Sequence, residues 1–206
     1  MKKCVVGVVI AIIAAASAIA TVSTEYLGDA VGYLGKDIRG SWVGNVGSDG
    51  YHLLYWGANE NQKSYPSYLG TAQNGPGIAF YQWNGPAPAA SYRDAAVESP
   101  DKSQRCASTW YTGGNPAYIR IPVLQSCNFV LGVYMLDWDQ SGARQATIGV
   151  TSMQNEANPA QMINQGNYSN GRWNFFAVSA DAGDTISIKL NALTSNATAS
   201  MLSFDP

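Results

Sequence analysis

The feature that most constrains this 206-residue chain is a hydrophobic pattern with a period of two, which begins near residue 37 and continues to the C-terminus. In residues 185–190, Ile186, Ile188 and Leu190 alternate with polar residues. Such alternation is typical of a strand with one buried face. Separated by Gly, Asn, Pro and Ser, the predicted strands span residues 41–46, 51–56, 78–83, 107–112, 118–123, 129–138, 144–153, 173–179, 185–190 and 200–204.

No convincing helix separates these strands, which predicts an all-β fold over residues 37–206, an antiparallel β-sandwich of jelly-roll type. Residues 21–36 have apolar side chains at partly helical spacing but also contain three glycines. We therefore expect a linker or a short helix there. Residues 84–104 and 155–171 are predicted to form long surface loops, where binding sites commonly lie.

Two of the predicted strands are separated by the sequence Asp-Gln-Ser-Gly, which predicts a β-hairpin formed by residues 129–138 and 144–153. In the register that this turn gives, Asp137 faces Arg144, and three apolar pairs follow along the strands. We therefore predict an Asp137–Arg144 ion pair at the rim of the core. If exposed, it contributes at most about 1 kcal/mol.

The first 20 residues are mainly apolar, with two lysines directly after Met1. Lys2 and Lys3 precede an apolar run that contains Ala18 and Ala20, a pattern typical of a secretory signal peptide cleaved after one of these alanines. The run is also just long enough to cross a bilayer, so a retained apolar anchor or helix is the alternative. Either interpretation predicts an extracellular or cell-surface protein that contacts a membrane only through this segment, if it is uncleaved.

Without this leader the chain contains two cysteines, Cys106 and Cys127. An even pair in an exported protein predicts a disulfide. A metal-binding pair is the alternative, although no histidine lies near either cysteine in the sequence.

Charge is sparse: 13% of the residues are charged, and the formal net charge is −2. The lysines and arginines are scattered singly, whereas binding to nucleic acid requires clustered cations that contact phosphates. We therefore expect no nucleic-acid partner. The low charge also suits a subunit that packs against copies of itself.

The sequence has no complete set of catalytic residues. His52 is the only histidine, which we interpret as a strand residue, and no G-x-S-x-G, H-E-x-x-H or Walker motif occurs. Asp137 and Asp139 share one face of a predicted strand. They could bind Ca²⁺ through oxygen ligands, act as a carboxylate pair in glycoside hydrolysis, or simply end the hairpin. We expect a protein that is not an enzyme and has no cofactor, with a structural calcium ion at these aspartates as one alternative.

Aromatic residues are plentiful, and some of them lie in or beside predicted turns. A flat ring beside Asn, Asp or Gln suits sugar recognition, because the apolar face of a pyranose stacks on the ring while its hydroxyls form hydrogen bonds. Packing within a sheet is the alternative for any aromatic residue in a strand. The candidates for ligand contact are Tyr65, Tyr68, Trp83 and Tyr92.

Several short motifs occur in the same order as in a module of large secreted bacterial proteins. They are Gly-Ser-Trp-Val-Gly-Asn at 40–45, Gly-Ser-Asp-Gly-Tyr at 47–51, Trp110-Tyr111, Leu-Asp-Trp-Asp at 136–139, and the C-terminal Phe-Asp-Pro. Through them most of residues 37–206 resembles the galactose-binding-like and carbohydrate-binding β-sandwiches. The resemblance implies the fold and a sugar ligand, but it identifies no binding residues.

Two functions follow from these observations. The first is a non-catalytic extracellular protein that binds a glycan or mediates adhesion at the cell surface. The alternative is a structural subunit of a pilus-like surface filament or layer, assembled from copies of the chain through the apolar N-terminal segment.

Overall fold

The computed structural model describes residues 22–140 and 142–206. Strands are the main regular structure in this part of the chain, and one short α-helix, α1, spans Ala30–Leu34. The strands are β1 Ser23–Gly28, β2 Gly50–Leu53, β3 Lys63–Ser64, β4 Gln73–Asn74, β5 Ile78–Pro88, β6 Val97–Glu98, β7 Gln104–Thr112, β8 Ala117–Pro122, β9 Cys127–Met135, β10 Gln145–Ser152, β11 Ile163–Asn164, β12 Arg172–Ala180, β13 Thr185–Thr194, β14 Thr198–Ala199 and β15 Met201–Asp205.

These strands form three antiparallel sheets. A six-stranded sheet has the order β1-β12-β9-β15-β2-β3, and a five-stranded sheet has the order β11-β10-β13-β8-β4. A smaller sheet, β14-β7-β5, carries the short strand β6 on β7. The prediction of an all-β antiparallel sandwich is therefore confirmed.

The six-stranded sheet is buried on both faces. Along β9, Leu131 and Val133 point into one apolar core, whereas Val130 and Tyr134 point into another. The first core lies between the two large sheets, since it also contains Ile148 and Ile188 of the five-stranded sheet. The second core is covered by α1, by residues 38–46 and by β6 and β7. Double burial explains why strands of this sheet are apolar at consecutive positions rather than alternating strictly.

The first element of the chain differs from the expected linker. Residues 21–36 contain α1, but they also contain β1, which pairs with β12 and places Tyr26 opposite Phe176. The two rings pack with their centroids 5.3 Å apart. Asp29 then begins α1 by accepting a hydrogen bond from the Gly32 N–H at 2.9 Å. The sandwich sheet consequently starts at Ser23 rather than at residue 37.

Residues 41–46, predicted as a strand, instead form a turn that carries Trp42 into the second core, where the indole N–H donates to the Glu98 carbonyl at 2.8 Å. Residues 1–20, with the predicted signal peptide or anchor, lie outside the described residues. Within 22–140 and 142–206, none of the helices has the length and apolarity needed to cross a membrane.

The predicted hairpin is wrong, although its ion pair is present. Strand β9 pairs with β12 and β15, whereas β10 pairs with β11 and β13, so the connection between them crosses from one sheet to the other. The apolar residues expected to be neighbours within a sheet instead lie in different sheets and contribute to the same first core, as Val133 and Ile148 do. Asp137 and Arg144 still meet, because the crossing connection brings them together at the sandwich edge.

The predicted disulfide is absent, and both cysteines are free thiols. Cys106 on β7 is buried in the second core, whereas Cys127 begins β9 and packs against the first. The six-stranded sheet separates these two cores, so the sulfur atoms lie on opposite sides of it. Burial also raises the pKa of both thiols, which favours their protonated form.

The two predicted long loops are partly ordered into the sheets. Residues 84–104 continue β5 and include β6, while residues 155–171 include β11. The second segment folds over the outer face of the five-stranded sheet, held by Glu156. This carboxylate accepts from Arg120 at 2.5 and 3.0 Å and from the Ser187 hydroxyl at 2.9 Å.

Gly132, in the middle of β9, provides the space in which Trp173 stacks on Phe175. A Cβ atom there would lie 2.3 Å from the Ser203 hydroxyl oxygen and 2.9 Å from a Phe175 ring carbon. We predict that Gly132→Ala lowers the free energy of unfolding by about 1–3 kcal/mol in urea denaturation. The control is Gly32→Ala in α1, where the Cβ would make only an ordinary contact and stability should be unchanged or slightly higher. Equal losses in the two variants would contradict this account.

The Glu156 contacts make stability depend on pH. The Arg120 hydrogen bonds lower the pKa of Glu156 below its ordinary value of 4.5. The stabilisation is therefore complete above pH 4.5 and is lost as the pH falls through the lowered value. We predict that Glu156→Gln costs about 1–3 kcal/mol at neutral pH. The difference from wild type should shrink in urea denaturation at about pH 3, and a difference independent of pH would contradict the ion pair.

Candidate functional site

A cavity of about 260 Å³ lies on one face of the small sheet, and we call it the Trp83 cavity. It combines the exposed ring of Tyr81 and two partly buried aromatic rings with charged and amide groups. Its lining residues are Tyr81, Trp83, Thr109, Tyr111, Asp139, Arg144, Asn196 and Thr198.

The aromatic wall of the cavity comes from the edge strand β5 and its neighbour β7. Tyr81 is opposite Thr109 in the register, and its side chain is on the same face as that of Tyr111. The register shifts between Gln82 and Asn84, so Trp83 occupies a β-bulge, a feature that re-aims a side chain. The Trp83 ring meets the ring of Tyr81 edge to face at 5.7 Å.

The aromatic rings of β5 lie on both of its faces. Tyr81, on the cavity face, is 51% exposed, and Trp83 is half-buried because it also packs against the second core. Phe80, the residue between Ala79 and Tyr81, points to the opposite face and packs against Trp110. A ligand in the cavity can therefore contact the accessible Tyr81 ring, which packs against the partly buried Trp83 ring.

The polar wall of the cavity is organised by Arg144. Its guanidinium binds Asp137 and Asp139 through Nη1, donates to Asp139 Oδ2 from Nη2 at 3.1 Å, and donates to Asn196 Oδ1 from Nε at 2.6 Å. The guanidinium carbon also lies 5.6 Å from the centroid of the Trp83 ring. One cation thus holds two carboxylates, an amide and an indole in fixed positions.

The two carboxylates differ in their surroundings. Asp137 is fully buried, and removal from water raises its pKa. The side chain of Asp139 is 48% exposed, and its hydrogen bonds to Arg144 lower its pKa. At neutral pH, Asp139 is consequently an ionised hydrogen-bond acceptor that faces the cavity.

Both of the aspartates predicted as possible calcium ligands contact Arg144. Arg144 lies between the two carboxylates, where a cation bound by both would have to sit. No group of three or more His, Cys, Asp or Glu side chains that could hold a metal ion occurs among residues 22–140 and 142–206. A calcium ion at Asp137 and Asp139 would therefore have to displace the guanidinium.

Tyr92 supports the connection that carries Asp139 without lining the cavity. Its ring meets Trp138 edge to face at 5.8 Å, and its hydroxyl donates to the Gly85 carbonyl. The Arg93 guanidinium covers Trp138 at 4.4 Å, and the indole N–H of Trp138 donates to Asn84 Oδ1 at 2.7 Å. These contacts fix the residue that precedes Asp139.

Tyr65 and Tyr68 lie away from the cavity and contribute to packing. The Tyr65 hydroxyl forms a 2.8 Å hydrogen bond with His52 Nδ1 and accepts one from the Ala72 N–H. The Tyr68 hydroxyl donates to Asp49 at 3.1 Å, while its ring packs against the first core. Of the four aromatic residues singled out from the sequence, Trp83 alone lines the Trp83 cavity.

Sequence reasoning did not select Tyr81, Tyr111 or Asn196 as ligand contacts. Tyr81 had a usable signal, because residues two apart on a strand share a face and Trp83 follows it at that spacing. Asn196 had none, since it reaches the cavity from a distant part of the chain through its bond to Arg144.

A smaller cleft of about 210 Å³ lies on the opposite face of the small sheet, beside His52 and Phe80. His52 is 1% exposed, and both of its ring nitrogens are hydrogen-bonded, with Nε2 2.6 Å from Glu60. The other Glu60 oxygen accepts from the Trp110 indole and the Tyr55 N–H. The ionisable groups at its centre thus already bind one another, and His52 has a structural role.

Two larger depressions lack accessible rings. One, of about 430 Å³, lies between α1 and residues 167–173, where Tyr168 and Trp173 are buried. The other, of about 390 Å³, follows β1, β9 and β12, and its ring, Phe129, is also buried. The Trp83 cavity is therefore the strongest candidate site in the described residues.

No protein-family model matches the chain, and no curated protein matches it. A solved structure, a Family 35 carbohydrate binding module from Clostridium thermocellum, is similar over 66% of this chain and 98% of its own, with 14% sequence identity and a TM-score of 0.33.

Arg144 should be essential for stability as well as for the cavity. Arg144→Met would leave the buried Asp137 carboxylate without its cationic partner, so we predict a loss of about 3–5 kcal/mol in the free energy of unfolding. The double variant Asp137→Asn/Arg144→Met removes both charges and should recover part of this loss. Urea denaturation tests both. A loss of about 1 kcal/mol or less in the single variant, as for an exposed pair, would contradict this role.

Proposed function

We propose that this chain is a non-catalytic glycan-binding protein and that a sugar ring binds in the Trp83 cavity. The observation that carries the proposal is the exposed Tyr81 ring, supported by Trp83, next to the Asp139 carboxylate and the Asn196 amide. Rings and hydrogen-bonding groups that converge on one concave surface are the features of a small-ligand site.

The chemistry of a pyranose matches these two walls. Its C–H face is apolar and can lie against Tyr81, whereas its hydroxyls can donate to Asp139 and accept from Asn196. Drug-sized ligands occupy pockets of about 300–1,000 Å³, so a cavity of about 260 Å³ suits one sugar ring of a chain or a chain end. The rings and Arg144 are held by packing and hydrogen bonds, which limits the entropy lost on binding.

The carboxylates argue for binding rather than hydrolysis. A glycoside hydrolase places two carboxyl groups on either side of the scissile bond, about 5–10 Å apart. Here Asp137 and Asp139 bind the same guanidinium, and Asp137 is fully buried. Among the described residues that line the cavity, Asp139 is the one carboxylate that a sugar would meet.

An extracellular or cell-surface location fits this function. The proposal of export rests on the basic and apolar pattern of residues 1–20, and glycans are abundant outside cells. Surface adhesion through a bound glycan would be the resulting role. The alternative of a filament or layer subunit rests on the same N-terminal residues, and the Trp83 cavity does not bear on it.

Removal of the aromatic wall tests the proposed site. We predict that Tyr81→Ala reduces glycan binding at least tenfold and that Trp83→Ala nearly abolishes it, because stacking surface and support are lost. The control is Phe80→Ala, which removes a 40%-exposed ring from the opposite face of the same strand and should leave binding unchanged. Binding would be measured on a glycan array and quantified by isothermal titration calorimetry.

The three variants should first be compared by thermal unfolding, so that a loss of fold is not taken for a loss of binding. Equal losses of affinity in Phe80→Ala and Tyr81→Ala would place the site elsewhere. Failure of the wild-type chain to bind any glycan on the array would refute the proposed function.

A further inference from the structure

The sugar specificity of the Trp83 cavity depends on how many hydrogen-bond donors Arg144 has left. A guanidinium carries five N–H groups: two on each Nη atom and one on Nε. Both Nη1 donors go to Asp137 and Asp139, one Nη2 donor goes to Asp139, and the Nε donor goes to Asn196. At most one N–H therefore remains for a ligand.

A sugar carboxylate needs more than this. Arginine recognises carboxylates through two parallel N–H donors, and that paired geometry gives both affinity and orientation. Arg144 already uses this geometry on Asp139. Arg93, the cation packed on Trp138, is committed as well, since it donates to the carbonyls of Ser169 and Trp138 and does not line the cavity.

The remaining ligand-facing groups favour a ligand rich in hydroxyl donors. The Asp139 carboxylate is half-exposed and carries a negative charge, and its oxygens have more lone pairs than its contacts with Arg144 and Asp137 use. The Asn196 amide nitrogen has no hydrogen-bond partner among the described residues, so it can donate to a sugar oxygen. Asp139 therefore keeps more unused hydrogen-bonding capacity than Arg144 does, and its negative charge repels an anion.

We infer that the Trp83 cavity selects uncharged sugars and excludes uronic acids, because the charge of Arg144, the cation among its lining residues, is balanced by Asp137 and Asp139 and at most one of its N–H groups remains for a ligand. This inference rests on the proposed glycan-binding function and adds the substrate class. Asp139 is the specificity-determining residue. Its carboxylate accepts hydrogen bonds from the hydroxyls of a neutral sugar and repels the carboxylate of a uronic acid.

Matched ligands test this directly. The probes are the methyl glycosides of glucose, galactose and mannose, the corresponding uronic acids, and the methyl esters of those acids, titrated into the full chain by calorimetry. For each ring that binds, we expect the uronate to bind at least tenfold more weakly than its ester. The ester has nearly the same shape without the charge. Raising the salt concentration should reduce the difference in affinity between the uronate and its ester, since repulsion between exposed charges is screened.

The variant Asp139→Asn separates charge from shape. This variant should weaken binding of the neutral glycosides several-fold, because one acceptor oxygen is lost. It should also bring the ratio of the uronate and ester dissociation constants close to one. The control is Asp94→Asn, which removes an exposed carboxylate that does not line the cavity and should leave the ratio unchanged. Thermal unfolding of both variants checks that they are folded.

The outcomes are distinguishable. Uronates that bind as tightly as their esters, or more tightly, would overturn the selection for uncharged sugars while leaving glycan binding in place. A ratio unchanged in Asp139→Asn would overturn the role of Asp139. If neither the neutral glycosides nor the uronates bind, the proposed function fails and the inference fails with it.

Discussion

The Arg144 guanidinium is the interaction on which the candidate site depends, because it joins elements of all three sheets. Asp137 follows β9 of the six-stranded sheet, Arg144 precedes β10 of the five-stranded sheet, and Asn196 precedes β14 of the small sheet. A buried ion pair of this kind adds little net stability compared with apolar packing, but breaking it is costly. Its main effect is positional: it sets the distance between the crossing connection and the aromatic strand β5.

A second constraint is the double burial of the six-stranded sheet. With apolar residues committed to two cores, the polar and aromatic residues available for a ligand are found mainly at the edges of the fold. Strand β5 is such an edge, and its Pro86 and Pro88 lack the N–H that would pair with another strand. An edge protected in this way can keep exposed rings such as Tyr81 without adding a further strand.

The fold class was predictable because alternation and turn residues are local signals. Nearly all of the predicted strands exist, and Asp137 does pair with Arg144. The pairing partners were not predictable, because the same alternation suits neighbours within a sheet and residues that face each other across a core. For this reason the sequences of β9 and β10 predict a hairpin that the structure does not contain. The predicted disulfide is wrong for a similar reason, because an even number of cysteines does not show on which side of a sheet each thiol lies.

For the candidate site, the sequence identified residue types better than positions. Trp83 lines the cavity, whereas Tyr65, an equally plausible ring beside a turn, is bound to His52 in the interior. The difference comes from partners distant in sequence, which no local pattern encodes. The role of Asp139 also depends on a partner that the local sequence does not identify. Its chemistry as a bare carboxylate suggested calcium or catalysis, but contact with Arg144 leaves it as a hydrogen-bond acceptor held at the mouth of an aromatic cavity. A hydrogen-bond acceptor fixed in that place is suited to binding sugar hydroxyls.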